Sequence, residues 1–323
     1  MRSKRSLMGF SALLILLYHL YIPVTGSVIE QFIYGSSYIG VDIFFFLSAY
    51  SIGNASGSDY KSFLKNRFIR IYIPFIIFAG VSCLIKKLSI LRFLQIISGI
   101  EFFIKGGGAF LWFITAIMLL YILSPLFKYL KKRFGMRSMI IVFAVWLLIA
   151  VICQFIFNYK RIFILVNRLP IFFIGFYFKD ISDSINRAVE KKKLPAGFIP
   201  IVAVITAALC CVPVYYFGTG HRLNIPFTDS YYITAIPLTI SIIVLFELFN
   251  KNKKDPILPF FGSMSLELYI MQMVFGYSIE AAVLRALKLP LLSFLITASL
   301  VVLMAFSFNK LYLFIISKFS RRC

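Results

Sequence analysis

Two ionisable side chains stand where a membrane segment would want none. His19 lies inside LLILLYHLYI (residues 13–22), and Asp42 lies inside GVDIFFFLS (residues 40–48). An aspartate at the centre of a membrane helix costs about 2.5–3.5 kcal/mol on insertion scales, so it seeks a partner or a watery cavity. If the first apolar run leads outward and the second inward, His19 lies roughly 18 Å from the inner side and Asp42 about 15 Å from the outer side, at 1.5 Å per residue. Both fall in the outer half to middle of a bilayer, close enough in depth to pair. A carboxylate beside an imidazole fixes its tautomer and raises its basicity, which suits general-base catalysis. The plainer reading is an interhelical hydrogen bond that only holds two helices together.

A third group of candidates is DYKSFLKNRFIRIYIP (residues 59–74). Arg67 and Arg70 are three apart and share a face on an α-helix. Guanidinium groups bind phosphate oxygens in bidentate fashion, so the pair could clamp a phosphate. Held by anionic lipid, the same segment would be an ordinary amphipathic juxtamembrane stretch. Phosphate-binding arginines at an inner face and a base nearer the outside suit a long, thin, phosphorylated donor. Acyl-coenzyme A has that shape.

The elements that must position these groups follow from composition. Of 323 residues, 61% are hydrophobic and 14% charged, and the mean hydropathy is +0.92. So much apolar surface needs the bilayer as solvent. Runs of roughly 20 apolar residues are needed to cross about 30 Å of hydrocarbon. Ten candidates occur, at about 7–25, 32–55, 70–90, 109–130, 138–158, 161–180, 196–217, 230–249, 257–280 and 289–317. The expected fold is all-α and polytopic, with both termini cytoplasmic, and residues 1–323 as one membrane domain without an appended soluble domain. The first run lacks an A-x-A-like cleavage site and reads as a retained helix.

The net charge of +22 reports topology rather than a nucleic-acid partner. With alternating spans and the N-terminus inside, 23 of the 34 lysines and arginines fall in cytoplasmic segments, as the positive-inside rule expects. Five cysteines are scattered without a C-x-x-C and read as small buried hydrophobes.

Other polar residues have structural readings beside functional ones. Glu267, mid-span in SMSLELYIMQ, should face the bundle interior, in structural hydrogen bonding or against substrate. Arg168 is expected to pair with an internal acid or to reach the outer interface. Lys310 and Glu247 are near enough to inner ends to snorkel. Trp112 and Tyr121 suit an aromatic belt or core packing. Gly106–Gly108 reads as a flexible entry to the fourth span, and His221 as a solvated loop residue. A nucleophile elbow, an H-E-x-x-H pair and a Walker loop are absent, and no metal site is expected.

Taken in order, these blocks resemble the acyltransferase-3 family of bacterial membrane proteins, which O-acylate extracytoplasmic glycans. His19 ends a first helix like the family's. GVDIFFFLSAY is similar to its Gly-Val-Asp-x-Phe-Phe-x-x-Ser-Gly block and places Asp42 and Ser48; NRFIRIYIP is similar to Arg-x-x-Arg-x-x-x-Pro and places Arg67, Arg70 and Pro74. FLWFITAIMLLYILSPL (residues 110–126) and FFGSMSLELYIMQ (residues 260–272) resemble its Trp-Phe and Gly-x-x-Ser-x-x-x-Tyr segments. The resemblance implies a ten-span bundle in the bacterial cytoplasmic membrane. It implies His19 as catalytic base assisted by Asp42, and Arg67 and Arg70 at the acyl-CoA site; Ser48, Trp112, Glu267 and Gln272 are the further candidates for substrate contact. The chain departs from the pattern at Met8, where an arginine is common, at Ala49, where glycine is usual, and at Gln272, where histidine is common.

The function expected is transfer of an acyl group, acetyl first among the candidates, from cytoplasmic acyl-CoA as co-substrate to a hydroxyl of an extracytoplasmic or lipid-linked glycan. No resident cofactor is implied; partners would be acyl-CoA, the glycan, the lipid bilayer and glycan-assembly proteins. A covalent acyl-His19 relay is a variant of the same reaction. The rivals are a transporter or flippase of a glycan precursor, with His19 and Asp42 lining its path, and an inactive partner in a glycan-assembly complex.

Overall fold

The computed structural model describes residues 3–21, 24–55, 60–153, 160–191, 195, 197–217, 222–225, 228–249 and 255–320. His221, Arg2, Lys192, Lys193, Lys251, Lys253, Lys254, Arg321 and Arg322 lie outside the described residues. The first helices in chain order are α1 (Lys4–Leu20), α2 (Val28–Ser36), α3 (Gly40–Asn54), α4 (Tyr60–Arg67), α5 (Ile73–Ile85), α6 (Ile90–Ile97) and α7 (Ile100–Lys105). Next come α8 (Trp112–Phe134), α9 (Arg137–Val151), α10 (Phe163–Val166), α11 (Leu169–Glu190) and α12 (Phe198–Phe217). The last are α13 (Ser230–Phe249), α14 (Ile257–Ser263), α15 (Ser265–Met271), α16 (Tyr277–Leu287) and α17 (Pro290–Ser320). A short antiparallel ribbon, Arg222–Ile225 against Thr228–Asp229, is the one feature among the described residues outside the helical expectation.

Among the described residues, five helical stretches are long and apolar enough to cross a membrane: Val28–Asn54, Tyr60–Ile85, Trp112–Phe134, Ser265–Leu287 and Pro290–Lys318. Shorter apolar helices run over Arg137–Val151, Phe198–Cys210 and Thr234–Phe249. Two expected spans, 7–25 and 161–180, coincide with α1 and with α10–α11. Cys83, Cys153 and Cys210 are buried free thiols. The internal contacts group the chain into two compact units. A terminal unit comprises Met1–Gly40, Cys211–Thr219 and Phe246–Cys323, and a central unit comprises Val41–Cys210 and Gly220–Leu245.

In the terminal unit α1 packs along α14 at backbone contact. A Cβ on Gly9 would stand 1.9 Å from the Leu258 carbonyl oxygen, and one on Gly262 would stand 2.0 Å from that of Arg5. Only glycine permits this approach, the small-residue logic of membrane helix pairs. The motif glycine of FFGSMSLELY therefore acts by letting the helix that carries His19 come close. Gly9→Ala should force the crossing apart at a cost of about 1–3 kcal/mol, and should lower activity as well, since a 1 Å misplacement of a reacting group can cost about a hundredfold. Thermal unfolding and turnover of the purified variant check both. Ser3 donates from its hydroxyl and its N–H to the Glu247 carboxylate, and Phe10 packs on Phe246.

α16 and α17 form an antiparallel hairpin joined by Lys288 and Leu289. Lys288 takes the left-handed conformation at φ 55°, its N–H caps the Leu284 carbonyl, and Pro290 opens the next helix, where its missing N–H is not needed. On α17 the buried positions Ser293, Thr297, Val301, Ala305 and Asn309 recur every four residues, which is one helical face.

In the central unit α3 crosses α11 by a second glycine pair. Cβ atoms on Gly53 and Gly175 would fall 2.2 Å from the Phe176 oxygen and 2.5 Å from the Phe46 oxygen. α8 and α9 pack beside α11, where the Lys131 ammonium reaches Asp180 at 2.5 Å and Ser138 bonds to the Tyr177 hydroxyl at 2.6 Å. α6 and α7 are tied at buried Glu101, which takes Arg92, Lys105 at 3.3 Å and the Phe110 N–H at 3.3 Å.

Candidate active site

His19 stands in the last turn of α1, one residue from its end. The sequence placed it six residues from the end of its span. The helix stops earlier because Tyr21 is extended (ψ 135°) and Pro23 follows, a residue that cannot continue a helix. The Nδ1 of His19 lies 2.9 Å from the carbonyl oxygen of Ile15, one turn back. A carbonyl can only accept, so Nδ1 carries the hydrogen, and in the neutral ring Nε2 keeps the lone pair. The ring is half-buried and packs edge-on to Tyr18 (5.2 Å) and Tyr277 (6.2 Å). Tyr18 in turn stacks on Tyr34 and meets Tyr38 edge-on. The imidazole is thus oriented by its own helix and enclosed by tyrosines.

The chain beyond His19 is fastened by the N-cap of α2 and by the acid in its first turn. Ser27 caps α2 by accepting from the Glu30 N–H, and the Glu30 carboxylate takes the N–H groups of Val24, Thr25 and Gly26 and the hydroxyl of Tyr21. The Ser-x-x-Glu spacing was visible in the sequence and would have found this device. The aromatic ring around His19 had no such signal, because it draws on distant stretches of chain.

Glu267 and Gln272 belong to the same unit. Glu267 is fully buried in α15, and Gln272 is 1% exposed at the start of a wide π-turn over Gln272–Gly276. Such turns recur at functional sites.

Within the central unit Asp42 is fully buried and forms an ion pair with Arg168, whose Nε lies 3.4 Å from its carboxylate oxygen. Asp42, which the sequence suggested as a partner of His19, has the arginine of span six as an ion-pair partner. Arg168 also donates to the Ile164 carbonyl at 2.7 Å, and its guanidinium carbon sits 5.1 Å from the centre of the Trp112 ring. A cation over an indole face is attracted by the ring quadrupole. Trp112 stacks on Phe45, so Asp42, Arg168 and the family-like tryptophan make one cluster. Two neighbours of Arg168 are pinned as well. The Val166 carbonyl accepts from the Trp146 indole at 2.8 Å, and Asn167 accepts from the Tyr232 hydroxyl at 2.6 Å. Leu111, buried directly before Trp112, has φ 47°. A left-handed leucine costs of order 1–3 kcal/mol and persists only where its surroundings over-determine it. Ser48 lies half-buried on α3, two turns beyond Asp42.

The arginine block is not a plain helix. Arg67 ends α4, and Arg70 sits inside a π-turn over Phe68–Tyr72. Pro74 explains the wide turn: it has no N–H for the Arg70 carbonyl and its ring would clash with it. The ladder shifts, and the Ile73 N–H bonds to Phe68 instead. Arg67 and Arg70 are therefore not held at plain α-helical spacing. Arg67 lies over the rings of Phe63 (5.3 Å) and Tyr121 (5.6 Å), and Tyr60 bonds the Tyr121 carbonyl at 2.6 Å. These contacts seat α4 on α8, with the Arg67 guanidinium against aromatic carbon.

The ordered blocks, the apolar helices and the histidine geometry meet in one comparison. A family model described as an acyltransferase domain, of the acyltransferase-3 type, matches residues 7–310. The chain belongs to the acyltransferase-3 family. No curated protein and no solved structure matches it. As an acyltransferase-3 protein it is a multi-pass membrane acyltransferase, and residues 7–310 hold every candidate site residue named above.

Proposed function

We propose that this acyltransferase moves an acyl group, acetyl by preference, from cytoplasmic acyl-CoA to a hydroxyl of an extracytoplasmic or lipid-linked glycan, in a bacterial plasma membrane. The observation that carries the reading is the His19 tautomer: Nδ1–H is held by the Ile15 carbonyl, and Nε2 is left as a base. The acceptor hydroxyl gives its proton to Nε2 as its oxygen attacks the thioester carbonyl. The tetrahedral intermediate collapses, the C–S bond breaks, and the coenzyme A sulfur leaves with the proton from the imidazolium. Arg67 and Arg70 bind the phosphates of the donor, because their forked donors match phosphate oxygens. Asp42 acts through Arg168, which it holds over Trp112.

The test is ester-linked acetyl on the extracytoplasmic glycans of a deletion strain, with and without the restored gene, together with transfer of label from acetyl-CoA by the purified protein. Restored ester and labelled glycan are expected. Glycan export that changes while no ester is made would overturn the reading in favour of a transporter. Arg67→Ala and Arg70→Ala should each raise KM for acetyl-CoA by roughly 10- to 100-fold, the size of one hydrogen bond to a charged group. An unchanged KM would remove the arginines from the donor site.

A further inference from the structure

Four buried polar side chains in the terminal unit have no hydrogen-bond partner among the described residues. They are Gln272 (1% exposed), Glu280 (7%), Ser293 (0%) and Thr297 (0%). Both oxygens of Glu280 and both polar atoms of the Gln272 amide are in this state. Buried polar groups are almost always paired, and an unsatisfied one is costly, more so when charged. Serine and threonine in apolar helices ordinarily bond a carbonyl of the preceding turn. Here neither hydroxyl does so. An acid inside a membrane helix is a functional-site hypothesis by default.

The four groups are gathered by the fold. Gln272, Gly276 and Glu280 are the buried positions along one face of α15–α16, spaced by fours. Ser293 and Thr297 open the buried stripe of α17, also spaced by four. The α16–α17 hairpin turns at Lys288 and Leu289, and Glu280 and Thr297 stand equally far from it on the two arms, at the same level. α1 arrives at this face at its C-terminal end. A Cβ on Gly276 would lie 3.0 Å from the side chain of Leu20, the residue after His19. Tyr277 meets the His19 ring, and Tyr21 packs edge-on against Phe294, next to Ser293. The unpaired groups therefore lie along the same helices that enclose the base.

We propose that Glu280, Gln272, Ser293 and Thr297 form the acceptor subsite, which binds a neutral, polyhydroxylated molecule of the sugar class beside His19. This rests on the acyltransferase reading given above. The chemistry selects the class. A carboxylate accepts hydroxyl protons, an amide donates and accepts, and two hydroxyls do both, which matches a ring bearing several OH groups. No cationic side chain is among them, and a carboxylate repels the phosphates of coenzyme A. A single metal ion does not fit either. Gln272 and Glu280 are eight residues apart, about 12 Å at 1.5 Å per residue, whereas a hard cation needs its oxygens at about 2–2.6 Å. An extended sugar spans such a row.

The experiment uses the full-length protein in lipid nanodiscs, with radiolabelled acetyl-CoA and a panel of methyl glycosides of hexoses and N-acetylhexosamines as acceptor probes. Glu280→Gln should raise acceptor KM about 10-fold and Thr297→Val about 5-fold. Thr297→Ser should recover the wild-type value, and KM for acetyl-CoA should stay within about twofold. Equal rises in both KM values, or loss of folded protein with Thr297→Ser as well as with Thr297→Val, would make the four groups structural and overturn the subsite. Wild-type transfer with acceptor KM unchanged in every variant would overturn the subsite alone. A wild type that acetylates no glycoside and no cellular glycan would overturn the function itself, and the subsite with it.

Discussion

His19→Gln should lower kcat for acyl transfer by about a hundredfold to ten-thousandfold, the usual contribution of a positioned general base. Glutamine is near the imidazole in length and its amide can still donate to the Ile15 carbonyl, so the packing against Tyr18 and Tyr277 is largely kept. What it lacks is a nitrogen that can take a proton. KM for acetyl-CoA should therefore be little changed, and the thermal midpoint should stay close to that of the wild type. The pH profile adds a second sign. A neutral imidazole is the active form, so the wild-type rate falls as acid protonates it, while the residual rate of His19→Gln should not show that limb. A variant that keeps a third or more of wild-type turnover would remove His19 from the role of base. A labelled acyl group trapped on His19 during turnover would instead make it the covalent carrier.

The terminal helix and its histidine were legible because one basic start, one apolar run and one misplaced imidazole are local features. Where that helix stops was also local, and Pro23 explains why His19 lies at its end rather than inside a span. The pairing of Asp42 was not legible. Depth placed the aspartate within the bilayer but could not name Arg168, which lies 126 residues away in sequence and meets Asp42 where α3 and α11 come together. The expectation that Arg168 would find an internal acid came closer, since an arginine buried in an apolar helix has few other ways to remain. Arg67 and Arg70 were read at α-helical spacing, and Pro74 was treated as an end marker. Its effect on the turn before it, a π-turn that carries Arg70, follows from the same missing N–H. Gln272 was noted for the histidine it replaces. Its significance in the structure is different: it starts a second π-turn and belongs to a row of buried polar groups that only the α16–α17 hairpin assembles.

The glycines show how motif and packing are linked. Gly9 and Gly262 have no chemistry, and neither has a positive φ. They are small because two backbones touch there, and what the contact fixes is the helix that ends in His19. A family-like block can thus serve catalysis without entering the site, by setting where the base stands.

The largest effect on stability should come from the Asp42–Arg168 pair, and the two single variants should not be equal. Both side chains are essentially out of solvent, at 0% and 1% exposure. Removing one partner of such a pair leaves an uncompensated charge in an apolar surrounding, at about 3–5 kcal/mol. The remaining group then escapes if it can become neutral. An aspartate left by Arg168→Met can take a proton, whereas an arginine left by Asp42→Ala stays charged, since guanidinium does not deprotonate in proteins. Asp42→Ala should therefore be the more destabilising, with a cost near the upper end of that range, and Arg168→Met should fall below it, more so at acid pH, where the lone carboxyl is already protonated. The double variant Asp42→Leu with Arg168→Met removes both charges. It should regain most of the lost stability, because a buried pair replaced by apolar groups is often neutral or stabilising. Its acyl transfer should still be low, since the guanidinium that lies over the Trp112 ring is then gone. Unfolding of the four proteins in one lipid and detergent mixture, with turnover measured on each, separates the roles. Equal costs for the two single variants would show that the pair is not the dominant partner of either charge. A double variant as active as wild type would make the cluster structural glue between α3 and α11, with no part in the reaction.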